Sequence, residues 1–176
     1  MIFKETKLKG AYVIKPERLE DERGFFARTF CQKEFERQGL NPRIAQCSIS
    51  FNKKKATLRG MHYQVAPYKE AKIVCCVKGA IFDVIIDLRP GSSTYCQWFG
   101  VELSAENREM LYVPEGFAHG FQTLADDTVV SYQISEFYHP ESAKGVRWDD
   151  PAFGIKWPLP NLVISEKDMN YADFGR

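Results

Sequence analysis

The chain has 176 residues, of which 44% are hydrophobic and 27% are charged, values typical of a globular protein and not of a disordered or membrane-embedded one. Its 24 Lys and Arg residues nearly balance 23 Asp and Glu residues, and a formal net charge of +1 argues against a broad surface for nucleic acid. No linker-like or repeated segment divides the sequence, so we expect one domain over residues 1–176.

The cysteines and the apolar segments indicate the compartment. None of the five cysteines lies in a CxxC motif, so neither a zinc cluster nor a disulfide framework is encoded. The N-terminal segment reaches charged residues before a long apolar run builds, and no later segment is apolar enough to span a membrane. We therefore expect a cytoplasmic protein that has reduced cysteines and does not bind membranes.

In chain order, the first predicted elements are an extended segment over residues 25–30 and a short helix over residues 32–38 that ends at Gly39. The later segments are short and rich in Val, Ile and aromatic residues, and they predict strands over residues 71–77, 80–88, 98–103, 110–113 and 128–134. Turn residues such as Lys78-Gly79 separate them. Many short strands with frequent turns predict a mainly β fold of the sandwich or barrel type.

Polar residues that interrupt apolar strands are candidates for lining a cavity, because alternate residues of a jelly-roll strand face inward. His62, Lys72, Tyr132 and Gln133 are residues of this kind. The C-terminal tail is irregular but rich in aromatic residues, so we expect it to pack over the body of the protein. Packing of the tail would bring Asp168 to a site formed by other segments.

The sequence contains only three histidines, and each is therefore a candidate for a general base or a metal ligand: His62, His119 and His139. Arg59 lies three residues before His62. Gly60 lies between them and, having no side chain, allows a ligand to approach the backbone. The segment fits a phosphate clamp beside a base. It fits equally well a histidine that only forms hydrogen bonds inside a barrel, and the spacing does not decide between the two.

Residues 114–121 fit the PxGxxH pattern that places a histidine, here His119, at the start of a strand in cupin barrels. Metal-binding cupins usually carry two histidines one residue apart in their first motif, and here the first position holds Gly60. His62, Glu70 and His119 would still supply the two-histidine, one-carboxylate set that suits iron or manganese. A metal-dependent cupin is therefore an alternative interpretation.

Several motifs occur in an order and spacing that match one family over nearly the whole chain. They are Asp21–Phe26, Leu58–Gln64, Asp87–Arg89, Val113–Phe121, Gly145–Pro151, Gly154–Pro158 and Ile164–Asp168. On these motifs the chain resembles the dTDP-4-keto-6-deoxyglucose 3,5-epimerases, also called dTDP-4-dehydrorhamnose 3,5-epimerases. The resemblance implies a cupin-type jelly-roll barrel with a few short helices, a homodimer formed through its sheets, and an active site that uses no metal or redox cofactor.

The resemblance also implies the reaction. The substrate would be a nucleoside-diphosphate 4-keto-6-deoxyhexose, whose ketone at C4 acidifies the hydrogens at C3 and C5 because the carbanion delocalises into an enolate. Removing and returning these protons would convert dTDP-4-dehydro-6-deoxy-D-glucose to dTDP-4-dehydro-L-rhamnose, a step of rhamnose synthesis.

By position in the family motifs, four residues are implied to be catalytic. His62 matches the base, and Asp168 matches the carboxylate that orients it. Lys72 matches the cation that stabilises the enolate oxygen, and Tyr132 matches the acid that returns a proton from the opposite face.

Further positions match substrate-binding residues of the family. Arg23 and Arg59 match the residues that hold the diphosphate, a role that suits the guanidinium fork. Phe26 and His119 match pocket residues near the substrate, and Tyr138 is expected to stack on the nucleobase or the neighbouring sugar.

Recognition of the nucleobase is the least defined part of the resemblance. Gln46 and Ser48 lie in the region expected to bind it, but relatives often carry asparagine at position 48 and an acidic residue at the position of Arg28. A CDP or GDP carrier and epimerisation at C3 alone therefore remain alternatives. A non-catalytic sugar-binding cupin is another, because fold alone does not fix function.

Overall fold

The computed structural model describes residues 1–160 and 163–175 and is built mainly of short β-strands. The strands are β1 (Ile2–Glu5), β2 (Tyr12–Lys15), β3 (Arg18–Asp21), β4 (Gly24–Ala27), β5 (Gln46–Asn52), β6 (Leu58–Gln64), β7 (Lys72–Lys78), β8 (Ala80–Asp87), β9 (Trp98–Ser104), β10 (Met110–Val113), β11 (Phe117–Thr123), β12 (Thr128–Ile134) and β13 (Ala143–Gly145). The helices are α1 (Gln32–Arg37) and α2 (Glu166–Met169).

Two antiparallel sheets form the body of the protein. The six-stranded sheet has the order β1-β2-β10-β7-β12-β5, and the five-stranded sheet has the order β13-β6-β11-β8-β9. Most strands that are neighbours in the sheets are not consecutive in sequence, as in a jelly roll. The architecture confirms the predicted mainly β, cupin-like fold with short helices.

The two sheets share one apolar core. Val74 and Val130 of the six-stranded sheet pack in the same cluster as Ile81, Ile85 and Phe121 of the five-stranded sheet, and all five are essentially inaccessible to solvent. Burial of these side chains is the main force that holds the sheets face to face. Within the described residues, no helix is long and apolar enough to cross a membrane.

The local predictions agree closely with the observed elements. The strands β7, β8, β9, β10 and β12 match the five predicted segments to within one residue at either end. The helix α1 ends just before Gly39, whose φ of +70° is the left-handed conformation that favours glycine at a helix end. The extended segment predicted over residues 25–30 is shorter in the structure, where β4 ends at Ala27.

The outer face of the six-stranded sheet has a covered half and an open half. Phe35 of α1 is fully buried against the covered half, where it packs in one cluster with Ile73 and Met110. On the open half, Ile49, Phe51 and Val77 are exposed by 75%, 50% and 53%. We call these three residues the apolar strip.

Candidate active site

A cavity of about 450 Å³ opens between the two sheets. It is lined by residues from both sheets, from the loop segments and from the tail: Gln46, Ser48, Ser50, Arg59, His62, Tyr63, Gln64, Glu70, Lys72, His119, Phe121, Tyr132, Ile134, Tyr138, Ala143, Lys144, Lys167 and Tyr171. A space of this size between sheets is typical of a small-molecule site.

His62 lies on β6 at the rim of this cavity and is held by the tail of the chain. Its Nε2 atom is 2.7 Å from Oδ1 of Asp168, although the two residues are 106 positions apart. The imidazole is 42% exposed, whereas the carboxylate is 7% exposed. Because the carboxylate binds Nε2, the neutral ring keeps Nδ1 as the nitrogen that can accept a proton.

Asp168 is positioned from both sides. The hydroxyl of Ser165 accepts a hydrogen bond from the backbone N–H of Asp168 and thereby caps α2, while the backbone N–H of Gly60 donates to Oδ2 at 3.2 Å. Burial opposes ionisation of Asp168, but the hydrogen bonds from His62 and Gly60 outweigh it and lower the pKa of the carboxyl group. Asp168 is therefore a carboxylate at neutral pH.

Lys72 reaches the cavity from β7 on the facing sheet. Its Nζ atom is 3.0 Å from Oε1 of Glu70 and donates to the carbonyl oxygen of His62 at 3.4 Å. The lysine and glutamate side chains are only 10% and 12% exposed. An ammonium group has three N–H donors, so one remains for a ligand in the cavity.

Tyr132 lies on β12, the neighbour of β7, and its ring meets the ring of His119 edge-on with centroids 6.3 Å apart. Burial raises the pKa of the Tyr132 phenol above its usual range, and the negative charge of Asp83 adds to this effect. The phenol is therefore protonated at neutral pH and can donate its proton.

His119 belongs to a second histidine–carboxylate pair, deeper in the protein. Its Nε2 atom is 2.7 Å from Oδ1 of Asp83, and the two side chains are 5% and 0% exposed. His119 pairs directly with His62 across β6 and β11. The Oδ2 atom of Asp83 is buried and has no hydrogen-bond partner in the described part of the chain.

Arg59 lies on β6 and is fixed by a buried amide. Its Nε atom donates to Oδ1 of Asn52 at 2.8 Å, and the Nδ2 atom of Asn52 donates to the carbonyl oxygens of Thr128 and Ser50. Asn52 is only 2% exposed. Because this contact uses Nε, both terminal nitrogens of the guanidinium remain available to an anion as far as the described residues are concerned.

Gln46 and Tyr138 lie together at the cavity. The Oε1 atom of Gln46 accepts a hydrogen bond of 2.7 Å from the backbone N–H of Tyr138, so the glutamine positions the aromatic residue. Tyr138 is 61% exposed, which leaves its ring face open to a planar ligand. Ser48, two residues beyond Gln46 on the same strand, presents its side chain to the same cavity.

Arg23 and Phe26 are not among the described residues that line the cavity of their own chain. They lie on the separate β3–β4 hairpin, where Arg23 pairs with Asp21 and has 89% of its side chain exposed. Phe26 is 71% exposed. Within one chain, the structure therefore does not bring these two predicted residues to the others.

Two interpretations of the sequence do not agree with the geometry. Gln133 was expected to face the cavity together with Tyr132, but neighbouring strand residues point to opposite faces, and Gln133 is not among the described lining residues. The set of His62, Glu70 and His119 does not converge on a metal position in the described ranges. Each of these side chains has another partner instead.

Four residues that shape the site were not predicted from the sequence: Asn52, Asp83, Lys167 and Tyr171. Asp83 had a detectable signal, because it is a charged residue in the middle of the apolar strand β8. Asn52 acts only through its contact with Arg59. Lys167 and Tyr171 reach the cavity because the tail packs there. No local pattern in the sequence indicates any of these three residues.

Comparison with known proteins identifies the family. The family model described as dTDP-4-dehydrorhamnose 3,5-epimerase matches residues 5–175. The enzyme of that name from Methanothermobacter thermautotrophicus is 47% identical over 172 residues, which cover 96% of this chain and 92% of that protein.

Solved structures agree with this match. The crystal structure of dTDP-4-dehydrorhamnose 3,5-epimerase from Elizabethkingia anophelis has a TM-score of 0.96 at 42% identity and covers 99% of this chain and 96% of that one. The dTDP-6-deoxy-D-glucose-3,5-epimerase of Legionella pneumophila, solved in complex with dTDP-4-keto-L-rhamnose, has a TM-score of 0.89 at 38% identity, with 95% and 89% covered. The chain therefore belongs to the dTDP-4-dehydrorhamnose 3,5-epimerase family.

Proposed function

We propose that the protein is an isomerase that epimerises C3 and C5 of dTDP-4-dehydro-6-deoxy-D-glucose and so forms dTDP-4-dehydro-L-rhamnose. One observation carries the proposal: the base candidate His62 and the acid candidate Tyr132 line the same cavity from opposite sheets. A proton removed by one wall and returned by the other inverts the carbon between them. The names and ligands of the relatives support the choice of substrate.

The first step is removal of a proton next to the ketone. Nδ1 of His62 takes the proton, and the electron pair of the broken C–H bond moves into the enolate at C4. The ionised Asp168, 2.7 Å from Nε2, stabilises the imidazolium that forms. The 42% exposure of the His62 side chain gives the substrate access to the ring.

The enolate needs a positive charge, and Lys72 supplies it. Glu70 and the carbonyl oxygen of His62 hold the ammonium in place and leave one donor for the enolate oxygen. Stabilisation of this kind is worth on the order of a few kcal/mol in comparable sites. Tyr132 then donates its proton to the opposite face of the carbon and completes the inversion.

The diphosphate would bind on the cavity wall that carries His62, and the nucleobase would bind at the rim of the cavity. Arg59 offers its two terminal nitrogens to phosphate oxygens, because Asn52 binds only Nε. Tyr138, positioned by Gln46, offers a ring face for stacking on the base or the sugar. Ser48 and His119 complete the substrate-binding set that we propose for a single chain.

The proposed reaction uses no metal and no redox cofactor. Proton transfer requires no electron carrier, and in this arrangement Nε2 of each cavity histidine is bound to a carboxylate. Dialysis against EDTA should therefore leave the turnover rate unchanged. Loss of turnover that returns with one divalent metal would contradict this part of the proposal.

We also propose that the protein acts as a homodimer in the cytoplasm. The apolar strip leaves three large apolar side chains exposed, and a second copy would bury them. The hairpin would then carry Arg23 and Phe26 into the cavity of the partner subunit, which reconciles their predicted role with their exposure in one chain. The five free cysteines fit a reducing compartment.

A complementation experiment tests the dimer. His62→Ala chains and Arg23→Ala/Phe26→Ala chains should each have little activity, whereas co-refolded mixtures should recover roughly a quarter of the wild-type activity, because half of the dimers contain one intact site. A mixture no more active than its components, or a monomeric mass by light scattering, would contradict the exchange of hairpins.

Proton NMR in deuterium oxide tests the reaction. Wild-type protein with dTDP-4-keto-6-deoxyglucose should remove the C3 and the C5 proton signals as deuterium enters from solvent. Loss of the C3 signal alone would indicate a 3-epimerase. Tight binding without exchange would indicate a sugar-binding protein, and faster exchange with a CDP or GDP substrate would replace the proposed carrier.

A further inference from the structure

The position of Asp168 depends on a tail that has little structure of its own. Asp168 lies in α2, a helix of only four residues, and such a short helix is not stable by itself. An isolated bridge between Thr57 and Val163 joins the beginning of this tail to the barrel. Further contacts beyond α2 must therefore keep Asp168 against His62.

Tyr171 makes such a contact three residues after Asp168. Its ring lies directly on the backbone of Gly145: a Cβ atom at Gly145 would be 2.1 Å from Cζ and 2.3 Å from Cε2 of the ring. The same ring meets the His62 imidazole edge-on, with centroids 6.2 Å apart and an interplanar angle of 72°. Gly145 itself pairs with His62 between β13 and β6. The ring is thus seated beside the imidazole, on the adjacent strand.

Among the described residues, the three atoms nearest to a Cβ added at position 145 all belong to this ring. The φ angle of Gly145 lies outside the left-handed region, so the backbone conformation there would accept alanine without strain. β13 is an edge strand of the five-stranded sheet, away from the shared core. The absent side chain therefore makes room for Tyr171.

The remainder of the tail is anchored independently of Tyr171. Phe174 packs on Phe153 with ring centroids 5.0 Å apart, and its backbone N–H donates to Oδ2 of Asp150 at 2.6 Å. Tyr171 lies between this anchor and α2. It is the ring contact that joins the anchored end to the His62–Asp168 pair.

We propose that Tyr171, seated on Gly145, is a positioning residue that holds Asp168 against His62 and restricts rotation of the imidazole. The inference rests on the proposed function, because it assigns the base and its carboxylate to these two residues. It adds that the aromatic ring does this, whereas the hydroxyl group interacts with Lys167. The ring contributes through shape, since it fills the notch that glycine leaves.

A double-mutant cycle tests the contact between the Tyr171 ring and Gly145. Gly145→Ala should displace the ring and lower kcat about tenfold, and Tyr171→Ala should do the same, while KM changes little. The double variant should be no slower than Tyr171→Ala, because the added methyl group then meets no ring. Tyr171→Phe keeps the ring and should retain wild-type kcat.

Two outcomes would overturn the inference: wild-type kcat in Tyr171→Ala, or a double variant about a hundredfold slower, as expected if the two sites act independently. A wild-type protein that exchanges neither C3 nor C5 protons would instead refute the proposed function. Amide hydrogen exchange separates the two failures, since it needs no substrate. The Asp168 and Met169 amides should exchange faster in Gly145→Ala than in the wild type. Unchanged rates would refute the inference that Tyr171 on Gly145 holds Asp168 in place.

Discussion

The histidines of two histidine–carboxylate pairs line the same cavity. The two pairs have the same hydrogen-bond length, but they differ in exposure and in the segment that supplies the carboxylate. Both have an Nε2-to-Oδ1 distance of 2.7 Å, and their histidines pair with each other across β6 and β11. At the rim, 42% of the His62 side chain is exposed, whereas only 5% of the His119 side chain is. The carboxylate of the rim pair comes from the tail, and that of the deep pair comes from the adjacent strand β8.

The difference shows that surroundings decide what such a pair can do. The rim imidazole can meet a substrate and return its proton to water. The deep pair is closed to solvent, and one oxygen of Asp83 has no partner among the described residues, so its charge acts on its neighbours. Burial and this charge together raise the pKa of Tyr132. We interpret the rim pair as the one that moves protons, whereas the charge of the deep pair adds to burial in raising the pKa of Tyr132.

The largest effect is expected from removing the rim base. His62→Ala should lower kcat by roughly a thousandfold, because a positioned general base contributes about that much. Affinity for dTDP should persist, since Arg59 and Tyr138 are unchanged. His139→Ala is the matched control, because its ring stacks on Tyr68 outside the cavity and its loss should leave kcat unaltered. Comparable activity of the two variants would disprove the assignment of the base.

Tyr132→Phe should separate proton removal from inversion. The variant keeps the ring but loses the acid, so turnover to the epimer should fall roughly a hundredfold. The base can still remove a proton and return deuterium to the same face. NMR in deuterium oxide should therefore detect exchange in recovered, uninverted substrate. Normal epimer formation in this variant would show that another group is the acid.

Asp83→Asn should affect stability more than chemistry. The amide can still accept a hydrogen bond from His119, but the buried pair loses its charge, which should lower the free energy of unfolding by about 2 kcal/mol. Turnover below the melting temperature should stay within about tenfold of the wild type. Urea unfolding measures the first effect. Unchanged stability together with complete loss of turnover would reverse the roles of the two pairs.

The smallest expected effect is the dependence of stability on pH at Asp168. Its folded-state pKa lies below the ordinary value of 3.8, so the ionised carboxylate stabilises the fold above that value. This contribution disappears as the pH falls through the folded-state pKa. The melting temperatures of the wild type and Asp168→Asn should therefore converge as the pH falls below the ordinary value of 3.8 and through the lower folded-state pKa. Divergence towards acid would contradict the direction of the shift.

Local patterns predicted the fold class and five of the strands, because those strands are short and strongly patterned. The segments at residues 110–113 and 128–134 match β10 and β12 at both ends. The helix α2 was not predicted, since four residues are too few to show a periodic pattern. The error at Gln133 came from treating neighbouring residues as if they faced the same side of a strand.

The site was predictable where a family motif carried it, and the roles of its residues stay predictions. The expectation that the tail brings Asp168 to a distant site agrees with its contact to His62. Glu70 was considered only as a metal ligand, because the sequence does not indicate that its partner is Lys72. The binding role predicted for Arg23 and Phe26 would require the proposed second copy of the chain, because within one chain neither residue is among the described residues that line the cavity.

Deuterium incorporation at C3 and C5 by the His62→Ala and Asp83→Asn variants, measured under identical conditions, tests most directly whether the rim pair alone moves protons. We expect no incorporation with His62→Ala and incorporation at both carbons with Asp83→Asn, because only the rim pair moves protons. Incorporation with His62→Ala, or its absence from a folded Asp83→Asn protein, would contradict the account.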